Sequence, residues 1–187
     1  IVYLSQGMEM YQDVINFWFE ETKPSQWWAK DDDFDQLIIR TFSSVHDKAT
    51  RCELFNWRAE PEGRLAEIIV LDQFSRNMFR DTSRAFGQDQ MALILAQEAI
   101  SRGVDKQLEP TERGFMYLPL MHSESLVIHE AAEELYRQNG TSSGLEFELR
   151  HKRIIERFGR YPHRNEALGR QSTNEEIEFL TQPGSRF

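Results

Sequence analysis

Residues 65–80 read Leu65-Ala66-Glu67-Ile68-Ile69-Val70-Leu71-Asp72-Gln73-Phe74-Ser75-Arg76-Asn77-Met78-Phe79-Arg80. From Leu65 to Phe74 the run is apolar almost all round. Pro61-Glu62 stands before it as a helix start, because proline is tolerated at the first helical position. A helix that is apolar on every side has to be covered by others. The stretch therefore predicts a buried central helix with further helices packed around it.

The flanking sequence has the same period. Tyr11, Val14, Ile15 and Trp18 fall at i, i+3, i+4 and i+7, the stripe of an amphipathic helix, and Pro24 ends it. Asp31-Asp32-Asp33 offers an N-cap and an acidic first turn for the stripe Phe34, Leu37, Ile38, Thr41, Phe42 and Val45. Residues 86–100 predict a fourth helix, stopped by Gly103, and Pro110 with Glu112 starts a fifth, which Pro119 is expected to break. Ser123 is expected to cap a sixth helix holding Leu126, Val127 and Ala131. Asn139-Gly140 and Ser142-Ser143-Gly144 predict a loop, and residues 145–158 a seventh helix ending at Gly159. Ser172 and Thr173, each three residues before a Glu, form a doubled capping-box pattern for a last helix through Leu180. Period-2 segments are absent, so the fold class is all-α. The short links predict antiparallel helix pairs. No side-chain signature repeats at a fixed period. Trp27 and Trp28 are expected in the core.

The composition bounds what such a fold does. The chain has 187 residues, a length that predicts one domain over 1–187, with residues 1–8 as a trimmed or poorly ordered N-terminal end. Ile1-Val2-Tyr3-Leu4 lacks the basic start and long apolar run of a signal peptide. Apolar residues make up 40%, enough for a core. A net charge of −9 makes non-specific binding to nucleic acid or an anionic membrane unfavourable, and no apolar run is long enough for a membrane helix. One cysteine, Cys52, allows no intrachain disulfide and no cysteine-based zinc site, which suits a reducing cytoplasm.

Three polar segments interrupt the apolar pattern. In the first, Asp72 and Arg76 project along the same line as Leu65, Ile68 and Ile69, so an acid and a base land on the most hydrophobic stripe. Burying a lone charge is costly, so the two must meet each other or further polar groups, and their i, i+4 spacing allows contact. Gln73 and Asn77 repeat that spacing on the adjoining line. The second is Tyr117-Leu118-Pro119-Leu120-Met121-His122-Ser123-Glu124, in which His122 is a candidate general base and Glu124 suits a helix first turn. The third runs from residue 150 to 170, where seven Arg/Lys and two acids give +5 and leave −14 for the rest of the chain. Such asymmetry points either to intramolecular charge matching or to a local anion site. Arginine forks in Gly159-Arg160-Tyr161-Pro162-His163-Arg164-Asn165 suit carboxylate and phosphate. His122 and Glu124 with His151 or His163 would bind a metal only if the fold gathers them. No nucleotide-binding glycine loop, zinc-protease helix or nucleophile elbow is present, so no cofactor is expected.

Together these strings resemble a family of bacterial proteins of uncharacterised function known as domain of unknown function 924. The resemblance also takes in Trp18-Phe19, Leu168-Gly169-Arg170-Gln171-Ser172-Thr173 and the ending Phe179-Leu180, Pro183-Gly184 and Phe187. It covers nearly the whole chain. It implies a right-handed, tetratricopeptide-like stack of helix pairs, and no established reaction, substrate or cofactor. This chain carries His129 where the resemblance leads one to expect glutamine.

Two function classes follow. The first is a binding module in which Asp72, Gln73, Arg76, Asn77, Arg80, His122, Glu124, His151, Arg157, Arg160, His163, Arg164 and Asn165 line one end of a groove and hold an anionic small molecule or acidic peptide. The second is a hydrolase-type enzyme in which His122 or His163, oriented by Glu124 or Asp72, moves a proton and arginines stabilise negative charge. Should the same groups be buried and bonded to each other, they form a structural network in an interaction scaffold.

Overall fold

The computed structural model describes residues 11–186, and the expectation for residues 1–8 lies outside them. Among the described residues there are eight α-helices and no strand. Helix α1 covers residues 11–16 and continues as a π turn over Phe17–Glu21. Helix α2 is Asp32–Thr50, opened as expected by Asp31, whose carboxylate accepts from the Asp33 and Phe34 amides. The central helix, α3, runs Pro61–Ile69, passes through a π turn at Val70–Phe74 and ends with Ser75–Met78. Then follow α4 (Asp89–Ser101), α5 (Pro110–Met121), α6 (Leu126–Asn139), α7 (Ser142–Phe158) and α8 (Asn174–Phe179). Helices adjacent in sequence from α3 to α7 pack on one another, and α3 also touches α2 and α5.

The core explains why α3 is apolar all round. Every residue from Leu65 to Phe74 is buried, the polar Glu67, Asp72 and Gln73 included. Phe74 meets Phe42 with ring centroids 4.9 Å apart and Trp18 at 5.6 Å. Trp18 in turn meets Phe115 of α5 edge-on at 5.8 Å. Burying one such ring is worth about 1.5–3 kcal/mol. A smaller apolar group, Ile154, Ile155 and Tyr161 with Phe158 and Phe179, holds α7, the 160–165 turn and α8 together. Gly159 ends α7 at φ +66°, in the left-handed region that favours glycine, and swings the chain into Tyr161–Arg164.

Several local expectations change. Pro119 lies inside α5, which continues to Met121. The missing N–H costs one helical hydrogen bond, and the buried run Phe115–Met121 holds the turn against the core. His122 is consequently the C-cap of α5, and Ser125 rather than Ser123 is the N-cap of α6; the Ser123 hydroxyl accepts from the Ser125 amide. Ser142–Gly144 belongs to α7, not to a loop. The helix expected from Phe86 begins at Asp89, after a 3₁₀ turn at Ser83–Phe86. Trp27 is half-buried, its indole N–H donating to the Trp18 carbonyl, but Trp28 is 61% exposed and stacks on Phe115 and Phe147. The capping box at the last helix forms through Thr173 and Glu176. Among the described residues no helix is long and apolar enough to cross a membrane.

Candidate functional site

The π turn of α3 sets the position of Asp72. Such turns insert a residue into the helix and are frequent where side chains are re-aimed. Two carbonyls of this turn accept side-chain donors: Ser75 Oγ donates to Leu71 O at 2.6 Å and Arg76 Nη1 to Asp72 O at 2.7 Å. Ser75 in turn accepts from His46 Nε2 at 2.8 Å. The turn is thus held from behind by a buried hydroxyl and imidazole, and Asp72 points toward the C-terminal end of α5.

There Asp72 Oδ1 accepts from His122 Nδ1 at 2.8 Å, with Arg76 Nη1 at 3.1 Å, while Oδ2 accepts from Gln73 Nε2 at 2.6 Å. Asp72 is 1% exposed. Burial opposes its ionisation, but Arg76 and His122 outweigh that and hold the carboxyl well below the ordinary carboxylate range. An ionised Asp72 fixes the proton of His122 on Nδ1, leaving Nε2 with its lone pair outward. Nε2 has no hydrogen-bond partner among the described residues, and the His122 side chain keeps 13% of its surface exposed. Burial, and next the Arg76 charge, push the imidazole below its usual value, so it is neutral at pH 7.

The third polar segment arrives from the other side. Arg76 makes a two-pronged contact with Asp89, the first residue of α4, at 2.9 and 3.0 Å. Arg164 Nη1 donates to the same carboxylate at 3.1 Å. Its guanidinium is clamped between the rings of Phe86 and Tyr161, at 4.6 and 4.7 Å. Arg164 is 6% exposed, yet its Nε is buried with no hydrogen-bond partner. Burial and the neighbouring Arg76 charge both lower its affinity for the proton. Two guanidiniums therefore share one carboxylate, both reaching Asp89 Oδ2, beside a neutral imidazole.

Of the thirteen residues expected at one site, Asp72, Gln73, Arg76, His122 and Arg164 meet here. Asn77 and Arg80 do not. Helix α3 ends at Met78, so Arg80 leaves the line of Arg76; both Asn77 (2.8 Å) and Arg80 (2.6 and 2.8 Å) bond Asp35 of α2 along a separate open groove. Glu124 faces away from His122: it accepts from the Tyr161 amide at 2.7 Å and from Arg170 at 2.7 and 2.9 Å. Burial raises its carboxyl, and Arg170 with the Tyr161 N–H more than reverses that. Arg157 pairs with Glu175, and Arg160 grips Glu176 at 2.7 and 2.8 Å, holding that carboxyl at about 2. Asn165 bonds Ser172 and Glu176. These residues match charge within the chain, the first of the two meanings of the +5 stretch. His151 donates from Nδ1 to Phe147 O at 2.8 Å, and its ring and that of His163 lie 5.8 and 5.7 Å from Tyr161. Burial pushes both imidazoles down to about 3. No group of three or more His, Cys, Asp or Glu that could hold a metal forms among the described residues, so His122, Glu124, His151 and His163 do not assemble as a metal site.

Asp89 was not legible as a site residue. The charge asymmetry demands acids from elsewhere, but nothing in the string Gly87-Gln88-Asp89-Gln90 says which one answers Arg76 and Arg164. A second imidazole–carboxylate pair was also hidden: His129 Nδ1 meets Glu148 at 2.6 Å and His129 Nε2 donates to Ser123 O at 2.8 Å, both side chains fully buried.

A search of curated proteins finds no match. Among solved structures, the chain is similar to a protein of unknown function, ATU0120, from Agrobacterium tumefaciens, with 37% identity and a TM-score of 0.87 over 92% of this chain and 97% of that one. The family model for a bacterial protein of unknown function, DUF924, matches residues 14–184. The chain belongs to that family.

Proposed function

We propose that the cluster of Asp72, Arg76, Asp89, His122 and Arg164 binds a small anionic molecule. The observation that carries this reading is Arg164: a buried guanidinium, fixed between two rings, with a single hydrogen bond and a donor left over among the described residues. Buried donors are rarely left without partners, and exceptions mark functional positions often enough to be tested first. The ligand's oxygens would accept from the arginines and one of its hydroxyls, or a water, would donate to His122 Nε2. In the tetratricopeptide-like stack that the family resemblance implies, the cluster would close one end of a groove. We take the setting to be a reducing cytoplasm, since Cys52 has no cysteine to bridge. With a net charge of −9, nucleic acid is not the ligand of this reading.

Calorimetry and thermal-shift titration with phosphate, nucleotides and small carboxylates test it. Saturable binding in the parent protein that disappears in a folded Arg164→Ala variant supports the reading. Failure of every anion to bind saturably ends it.

A second reading has its own support. The 2.8 Å contact between Asp72 and His122, with Nε2 open, is the geometry of a general base held by a carboxylate. Hydrolysis of phosphate or carboxylate esters that is lost in both His122→Gln and Asp72→Asn would favour an enzyme over a binding module.

A further inference from the structure

The occupant of the two arginines is itself informative. Asp89 reaches them from the first turn of α4, with its side chain 18% exposed, and among the described residues its carboxylate makes no hydrogen bond other than those to Arg76 and Arg164. Neither arginine depends on it for position. Arg76 stays tied to the Asp72 carbonyl at 2.7 Å and to its carboxylate at 3.1 Å. Arg164 stays between Phe86 and Tyr161. If Asp89 turned toward solvent, an oriented fork and a second, under-used guanidinium would remain in place. We propose that Arg76 and Arg164 form a carboxylate-binding site whose present occupant is the protein's own Asp89, and that a carboxylate-bearing small molecule takes its place. The proposal rests on the binding reading above and narrows it to one ligand class and one competitor.

Two oxygens of a planar group are engaged, one by each prong of Arg76, with Arg164 on the second oxygen. That matches a carboxylate in plane and spacing. Exchanging one carboxylate for another leaves two negative and two positive groups in the cluster, so no uncompensated charge is buried. Asp89 is tethered, and a tethered competitor acts at a high effective concentration. Its removal therefore unmasks the site.

Acetate is the probe, with sodium chloride at matched ionic strength as control and inorganic phosphate as the other arm. In Asp89→Ala the account expects a lowered melting temperature that acetate restores saturably. It also expects acetate to bind at least about tenfold more tightly than to the parent protein. Asp89→Ala that stays folded and gains nothing from acetate overturns the proposal, and a larger gain from phosphate than from acetate overturns the carboxylate assignment. Should Asp89→Ala fail to fold, the parent protein decides: acetate shifting the Nε–H resonances of Arg76 and Arg164 supports displacement, and unmoved resonances refute it. If the parent binds some anion while Asp89→Ala gains nothing, the binding reading survives and this inference does not. If neither binds any anion, both fall.

Discussion

Among the described residues two imidazole–carboxylate pairs form, and they are built to opposite ends. Asp72–His122 and Glu148–His129 have nearly the same contact distance, 2.8 against 2.6 Å. They differ in what the far nitrogen meets. His129 Nε2 is spent on the Ser123 carbonyl and lies against the Tyr161 hydroxyl at 3.1 Å, wholly out of solvent. His122 Nε2 has no partner among the described residues, and the side chain keeps 13% of its surface exposed. Tyr161 completes the contrast, because its hydroxyl donates to Met121 O. The carbonyls on both sides of His122 are thus pinned by the His129–Tyr161 pair. One dyad is a buried brace, and the brace fixes the backbone that presents the other.

The largest effect should come from breaking the brace. His129→Ala leaves Glu148 buried beside an empty space, with its Oε2 already lacking a partner. Removing one member of a buried pair costs about 3–5 kcal/mol, read as a fall in the urea midpoint at constant slope. A loss below about 1 kcal/mol would mean that the pair braces nothing.

Acid should act next. His151 and His163 are held near 3 by burial, while the unfolded chain protonates them near 6.5. Below pH 6.5 the unfolded state binds protons the folded state refuses, so stability falls as pH drops from 6.5 toward 3. At pH 5 each imidazole accounts for about 2 kcal/mol. His163→Asn should flatten the pH dependence of the denaturation midpoint over that window; an unchanged profile contradicts the burial account.

The smallest loss of stability belongs to the open dyad. His122→Asn leaves Asp72 with Gln73 and Arg76, and water can reach the vacated edge, so the cost is about 1 kcal/mol. The same variant should nevertheless weaken anion binding by at least about tenfold, which is one hydrogen bond's worth. His122→Asn as damaging to the fold as His129→Ala would erase the distinction between the two pairs.

What was legible in the sequence was local. Asp31 capping α2, Pro61 opening α3 and the Thr173–Glu176 box all follow from neighbours within four residues. The Asp72–Arg76 contact follows from i, i+4 spacing for the same reason. The π turn at Val70–Phe74 was not legible, because what holds it includes His46, 29 residues from Ser75. Nor was Pro119 inside α5, where core packing overrides the lost hydrogen bond. The partners of the +5 stretch come from far along the chain: Glu124 for Arg170 across 46 residues, Asp89 for Arg164 across 75. Periodicity puts charges on faces, but it does not say which faces meet.

The central claim is that His122 presents an unprotonated, unengaged Nε2. Long-range proton–nitrogen NMR of the imidazoles at pH 7 tests it directly. The account predicts His122 as the neutral Nδ1–H tautomer, with an Nε2 shift that moves when an anionic ligand or a change of solvent reaches the site. An Nε2–H tautomer, or a doubly protonated ring at that pH, would contradict it.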